Sequence, residues 1–167
     1  MEAIILVGGF GTRLRPLTLA TPKALLPLAN VPMLERLVRS LPARITKVVL
    51  AVHHQADAIE AHFAAVDCGR EVLTVPEAEP LGTGGAMRNC CNHISGTTLV
   101  FNGDIVSSLD VEAMLDQHRA TDALATLALW EVSDPSRYGV AELDGNTIVG
   151  FQEKPKTGEE RSRLINA

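Results

Sequence analysis

The sequence predicts an α/β fold: a doubly wound, mainly parallel sheet with helices on both faces, followed by a hairpin near the C-terminus. Three observations carry this prediction. Short apolar, β-branched runs alternate with segments whose apolar residues recur at helical spacing. The first run, Ala3-Ile4-Ile5-Leu6-Val7, is apolar at every position, as expected of a strand buried on both faces. Glycine-rich or polar segments follow the runs, where sheets of this class bind ligands.

The run from Ala3 to Val7 is the first strand. Leu34, Leu37, Val38 and Leu41 place a helix over residues 33–41, with Pro32 near its start. Ile45 to Val52 is a second β-branched strand, and Gln55 to Ala65 a helix with Ile59 and Phe63 on its inner face. Glu71 to Val75 is a third, shorter strand, and Gly82 to His93 a helix with a glycine-rich start. Thr98 to Phe101 is a fourth strand, ending at Asn102-Gly103-Asp104. Val111, Met114, Leu115 and His118 set a helix over residues 110–119, and Leu124 to Val132 is a fifth strand. The character then changes. Val140 to Leu143 and Thr147 to Val149 flank the turn signal Asp144-Gly145-Asn146 and predict a hairpin. No internal repeat or low-complexity tract interrupts the pattern.

The chain has 167 residues, 46% of them apolar, which suits one domain with a real core. A net charge of −5 offers no general attraction to nucleic acid or to a membrane surface. No apolar run approaches the roughly 18 residues of a membrane span. Residues 1–7 lead straight into a core strand, without a signal peptide's basic start or cleavage site. Cys68, Cys90 and Cys91 are odd in number and lack metal-ligand spacing, so they read as reduced thiols. The expectation is a cytoplasmic protein with no nucleic-acid or membrane partner; a homo-oligomer is compatible with these features.

The stretch after the first strand carries the chemistry. Gly8, Gly9 and Gly11 bring backbone N–H groups close to a ligand without a Cβ in the way. Thr12 adds a hydroxyl, and Arg13, Arg15 and Lys23 add fixed positive charge. Together they describe a loop that holds a polyphosphate. A Walker loop is excluded, because the chain contains no Gly-Lys pair. The dinucleotide fingerprint is excluded too, because Gly9-Phe10-Gly11-Thr12-Arg13-Leu14 ends in leucine. Prolines at 16, 22, 27 and 32 keep the following stretch extended and irregular.

The run Gly8-Gly9-Phe10-Gly11-Thr12-Arg13-Leu14-Arg15-Pro16-Leu17-Thr18, followed by Pro22-Lys23, resembles the signature of the sugar-1-phosphate nucleotidyltransferases, the nucleotide-sugar pyrophosphorylases. The resemblance implies a Rossmann-like fold of the nucleotide-diphospho-sugar transferase type. It implies that Leu6, Gly8, Gly9, Gly11 and Thr12 hold the nucleotide, that Arg13 stabilises the leaving pyrophosphate, and that Lys23 bridges phosphate oxygens.

The other strand ends carry further candidate groups. His53-His54 ends the second strand, but neighbours on an extended chain point apart and chelate one ion poorly. They read as polar loop residues. The third strand leads to Pro76-Glu77-Ala78-Glu79-Pro80-Leu81-Gly82-Thr83-Gly84-Gly85-Ala86. Both glutamates would pass as solvated loop charges on their own. The resemblance places Glu77 at the Watson–Crick edge of the base, with Gly82 also on the nucleotide. One carboxylate can accept both N1–H and N2–H of guanine, whereas uracil and thymine offer one N3–H between two acceptors. Glu77 therefore favours GTP. The wording from Glu79 to Ala86 is similar to mannose-1-phosphate guanylyltransferases and related heptose enzymes. Gly103-Asp104 alone fits a turn or a helix cap. The resemblance implies that Asp104 is a ligand of Mg²⁺, an ion that favours carboxylate, phosphate oxygen and water.

Two later motifs, Arg137-Tyr138-Gly139-Val140 and Phe151-Gln152-Glu153-Lys154-Pro155, are weak by themselves. The resemblance implies that Gly139, Glu153, Lys154 and Asn166 bind the sugar phosphate. It covers residues 2–167 and only the front part of the family's catalytic domain. The reading is therefore one catalytic domain, residues 1–167, truncated at its C-terminus and short of the family's second acidic metal ligand. The implied reaction moves a nucleotidyl group from a nucleoside triphosphate, GTP, to a sugar 1-phosphate, mannose 1-phosphate, with pyrophosphate as the other product. Two alternatives stay open: a catalytically inert regulatory subunit of the same fold, and a uridylyl, cytidylyl or thymidylyl transferase acting on another phosphorylated acceptor. Retention of Arg13, Lys23 and Asp104 favours an enzyme.

Overall fold

The computed structural model describes residues 1–166; Ala167, the last residue of the span read as one domain, lies outside the described residues. The chain divides into two compact units, Met1–Ser107 and the part from Ser108 onward.

The first unit is built on a parallel sheet. Among the described residues it contains β1 (Glu2–Val7), β4 (Lys47–Val52), β5 (Glu71–Pro76) and β6 (Thr98–Asn102), in the order β5-β4-β1-β6. The first, second and third parallel strands thus run outward one way, and the fourth lies on the other side of the first. The order reverses between β1 and β6, and the crevice beyond such a reversal is where these sheets take ligands. Register pairs Ile4 with Val49 and Ile5 with Leu50. Ile4, Val49, Ala51 and Val75 pack with Ala86 and Cys90 on one face. The alternate residues Ala3, Ile5, Val48, Leu50 and Val52 are equally buried. Coverage of both faces explains why these strands are unbroken apolar runs.

The helices of this unit are α1 (Met33–Ser40), α2 (Ala56–Ala65) and α3 (Gly82–Asn89). Leu34, Val38 and Ile59 are their fully buried anchors. The helix read through His93 ends earlier. The Cys90 N–H is shared between the carbonyls of Ala86 and Met87, which tightens the chain into a 3-10 turn over Cys91–His93. Just before α1, β2 (Pro27–Leu28) pairs with β3 (Val31–Pro32) in a tiny antiparallel hairpin; Ala29 and Asn30 both take left-handed conformations at its turn.

Glu35 of α1 is a buried carboxylate that ties α1 to α2. Its Oε1 accepts from Arg39 Nε at 2.8 Å, and its Oε2 lies 3.0 Å from His62 Nε2. The Arg39 hydrogen bond holds the Glu35 carboxyl below the usual carboxylate value of 4.5; burial pushes the other way and is the weaker influence. A carboxyl depressed in the folded state contributes stability that is fully present above its unfolded value and lost as the pH falls through its folded value. Glu35→Gln is therefore expected to lower the urea midpoint at pH 7, and the gap to wild type should shrink between pH 6 and pH 3. A gap that stays constant over that range would refute the assignment.

The second unit contains α4 (Val111–Ala120) and an antiparallel sheet. Asp110 caps α4, its Oδ1 accepting from the Ala113 N–H at 3.0 Å. Among the described residues the sheet runs β7-β10-β8-β9, with β7 at Leu129–Glu131, β8 at Gly139–Asp144, β9 at Thr147–Glu153 and β10 at Leu164–Asn166. The strand read over Leu124–Val132 is shortened to Leu129–Glu131 and pairs antiparallel with β10 rather than in the parallel sheet. Its first half fails as a strand because Leu124 is fully exposed and Thr126 is tied to α4 through His118 Nδ1 at 2.9 Å. The hairpin is present as β8 and β9, longer than read, with a bulge between Glu142 and Leu143. Among the described residues no helix is long and apolar enough to cross a membrane.

Candidate functional site

The glycine loop leaves β1 at Gly8 and folds back on itself. Gly11 takes a left-handed conformation, φ +62°. A Cβ there would lie 2.7 Å from Thr18 Cγ2 and 3.0 Å from Lys23 Cβ, so no other residue fits without moving them. Thr18 is buried, and its hydroxyl donates to the Gly11 carbonyl at 2.8 Å. The prolines do not leave this stretch wholly extended. It winds through three 3-10 turns, Thr12–Leu14, Leu17–Leu19 and Lys23–Leu25. That path returns Lys23 to the foot of the loop.

The end of β6 meets it there. The Gly103 N–H donates to the Leu6 carbonyl at 2.9 Å. A Cβ on Gly103 would stand 2.9 Å from that same oxygen and 3.2 Å from the Ile5 and Val7 side chains. Only glycine allows β6 to close against β1 here. The close approach delivers Asp104, whose Oδ2 lies 2.6 Å from Lys23 Nζ.

The opposite wall comes from β5 and α3. The Glu77 N–H donates to the Val52 carbonyl at 2.7 Å, and the carboxylate Oε2 accepts from the Leu81 N–H at 3.1 Å. Glu77 is 8% exposed, so it is no solvated loop charge. It shapes the turn that leads to Gly82, the left-handed first residue of α3.

These walls enclose a cavity of about 320 Å³. Leu6, Gly8, Gly9, Lys23, Glu77, Gly82 and Asp104 line it, as do His53, Asn102 and Thr83. Gly11, Thr12 and Arg13 do not; Thr12 and Arg13 stand exposed in the first 3-10 turn. Among the described residues neither Arg13 nor Arg15 has an ion-pair partner.

Two contributors escaped the sequence reading. Thr18 lies within the signature stretch, and nothing local to it announces a hydroxyl aimed back seven residues at Gly11. His53 was read as a polar loop residue. It lines the cavity, its Nδ1 lies 3.4 Å from the Glu77 carbonyl oxygen, and the Phe10 ring packs edge-on against it at 5.3 Å. Phe10 also leans on His54 at 5.2 Å. An aromatic residue between two glycines was the available signal.

The second unit assembles its own group. Gly139 pairs with Glu153 across β8 and β9. A Cβ on Gly139 would lie 3.2 Å from Glu153 Oε2 and 3.5 Å from Asn166 Oδ1. Lys154 is left-handed, φ +43°, its N–H donates to the Tyr138 carbonyl at 2.9 Å, and its Nζ lies 3.0 Å from Glu153 Oε1. Gly139, Glu153, Lys154 and Asn166 are thus brought together, with both charged side chains largely in solvent.

The donor set at Asp104 can be tested against Mg²⁺. Among the described residues no three His, Cys, Asp or Glu side chains converge on a metal position. Magnesium, however, needs only one or two carboxylates when substrate phosphates supply further oxygens. The ammonium of Lys23 against Asp104 Oδ2 marks a place that accepts a cation. The residues present fit the ion in that mode.

Comparison with known proteins shows what the chain is similar to. The chain is 41% identical over 171 residues to the mannose-1-phosphate guanylyltransferase of Mycobacterium tuberculosis, covering 100% of this chain and 47% of that protein. It is 38% identical over 168 residues to the bifunctional protein GlmU of Methanococcus aeolicus, covering 100% and 39%. The chain therefore spans less than half the length of these relatives. Among solved structures, HddC from Yersinia pseudotuberculosis complexed with GMP-PN superposes with a TM-score of 0.78 at 30% identity, covering 99% of this chain and 73% of that one. The family model described as nucleotidyl transferase matches residues 2–166. With that match over nearly its whole length, and a parallel sheet that carries its glycine loop to the switch point, the chain belongs to the nucleotidyl transferase family.

Proposed function

We propose that this chain binds a nucleoside triphosphate, GTP by preference, and serves the transfer of its nucleotidyl group to a sugar 1-phosphate, mannose 1-phosphate, with release of pyrophosphate. The observation that carries the proposal is the cavity at the sheet's reversal. There a glycine loop, the Lys23–Asp104 pair and the buried Glu77 face one another. The name of the Mycobacterium tuberculosis relative and the GMP-PN in the HddC complex support the base and the sugar.

An oxygen of the sugar phosphate attacks the α-phosphorus, and the bond to the departing pyrophosphate breaks in line. The nucleophile is already an anion, so no side chain need deprotonate it. Catalysis is positioning and charge stabilisation. Leu6, Gly8 and Gly9 cradle the nucleotide from the cavity wall with backbone groups, and Gly11 and Thr12 extend that cradle from the turn just beyond it. Arg13 meets the charge that grows on pyrophosphate, and Lys23 meets oxygens near the α-phosphorus. Glu77 uses one oxygen for Leu81 and keeps the other, with spare lone pairs on both, for the guanine N–H groups. Gly82 opens α3 beside the nucleotide. Gly139, Glu153, Lys154 and Asn166 take the sugar phosphate, the carboxylate accepting from hydroxyls and the ammonium meeting phosphate. Mg²⁺, held by Asp104, supplies neutralisation of phosphate-oxygen charge when bound. The span 1–167 acts as part of one catalytic domain.

Binding titrations with GTP, UTP, dTTP and CTP test the proposal, together with pyrophosphate release in the presence of mannose 1-phosphate or glucose 1-phosphate. GTP is expected to bind tightest, and release is expected with GTP and mannose 1-phosphate. Failure of all four nucleotides to bind would sink the nucleotide reading. Tighter binding of UTP or dTTP would sink the role given to Glu77.

A further inference from the structure

We propose that Lys23 is a built-in counter-ion of Asp104 which must swing away before a divalent cation can be held there, so that free metal and free protein associate weakly. The inference rests on the reading that this cavity takes a nucleoside triphosphate. Lys23 Nζ lies 2.6 Å from Asp104 Oδ2, the distance of a charge-assisted hydrogen bond. A divalent ion on either oxygen of that carboxylate would sit within a few ångströms of the ammonium and be repelled by it. Among the described residues no cluster of further ligands offsets the repulsion.

The pair is also free to open. Its side chains are 29% and 48% exposed and both line the cavity. The backbone of Lys23 is held in its 3-10 turn against Gly11, but the ammonium rides on a flexible four-carbon stem. A polyphosphate in the cavity offers that ammonium a stronger anion than one carboxylate. Drawing Lys23 onto phosphate exposes Asp104 to the cation. Nucleotide and metal thereby raise each other's affinity, and the coupling is reciprocal.

Mn²⁺ is the probe, with the unbound ion counted by its electron paramagnetic resonance signal, so that no turnover is needed. Without nucleotide, Lys23→Gln is expected to bind Mn²⁺ about tenfold or more tightly than wild type, because about 1.4 kcal/mol of relieved repulsion is already tenfold. Lys23→Met is measured beside it and should behave alike, so that misfolding of one variant leaves the other to decide. Lys23→Arg keeps the charge and should match wild type. Adding Asp104→Asn to Lys23→Gln should abolish the gain. Unchanged Mn²⁺ affinity in both neutral variants, or a gain that survives Asp104→Asn, overturns the proposal. Added GTP should raise protein-bound Mn²⁺ in wild type beyond what a protein-free titration of Mn²⁺ with GTP accounts for, and do so less in Lys23→Gln. If GTP fails to bind wild type, the nucleotide reading falls, while the nucleotide-free comparison still decides the role of Lys23.

Discussion

Arg13→Ala is expected to lower turnover by about 100- to 1000-fold, the usual cost of removing one group aimed at transition-state charge. Nucleotide affinity should change by much less. The reason lies in where Arg13 stands. It is exposed in the first 3-10 turn, outside the cavity lining, and it has no ion-pair partner among the described residues. A guanidinium in that position holds little of the bound nucleotide, but it can meet charge as pyrophosphate departs. The measurement is kcat from pyrophosphate release set against the dissociation constant for GTP. Equal losses in turnover and in affinity would mean that Arg13 contributes uniform binding, and the transition-state role would fall.

Gly103→Ala should produce the largest change in stability. The added methyl would stand 2.9 Å from the Leu6 carbonyl oxygen, on the same atom that accepts the Gly103 N–H. Neither the backbone of β1 nor the flanking Ile5 and Val7 side chains can yield cheaply. Overpacking of this kind costs about 2 kcal/mol, which lowers the thermal midpoint of a chain this size by about 5 °C. Gly84→Ala is the control, because a Cβ there meets nothing within 4 Å. Thermal unfolding followed by circular dichroism separates them. An unshifted midpoint for Gly103→Ala would show that β6 closes on β1 without needing glycine.

Much of this arrangement was readable residue by residue. Ile4, Val49 and their neighbours form unbroken apolar runs because helices and loops cover both faces of the sheet. The strand ends followed, since turns and ligand-binding groups cluster there. Leu124 to Val132 misled for the same reason that the others succeeded. Its mostly apolar run matches a strand, but no neighbour buries Leu124, and pattern alone does not reveal whether a partner exists. The strand Leu164–Asn166 was missed because three residues are too few to show a period. From the sequence alone, Glu77 is either a solvated charge or a base reader. Burial removes the first option and adds a bond to the Leu81 N–H, which a local reading has no means to see.

By itself the sequence determined the alternation of strands and helices, the glycine loop and its cationic residues, and the family to which they point. These are short-range properties, carried by residues within a turn or two of one another. The tertiary structure alone decided which charges meet. Lys23 and Asp104 are 81 residues apart, and they touch because the first and fourth parallel strands lie side by side. Gly103 lets those strands approach closely enough, and Thr18 holds the loop so that Lys23 returns to them. Such contacts depend on strand order and on missing Cβ atoms, which no local pattern encodes.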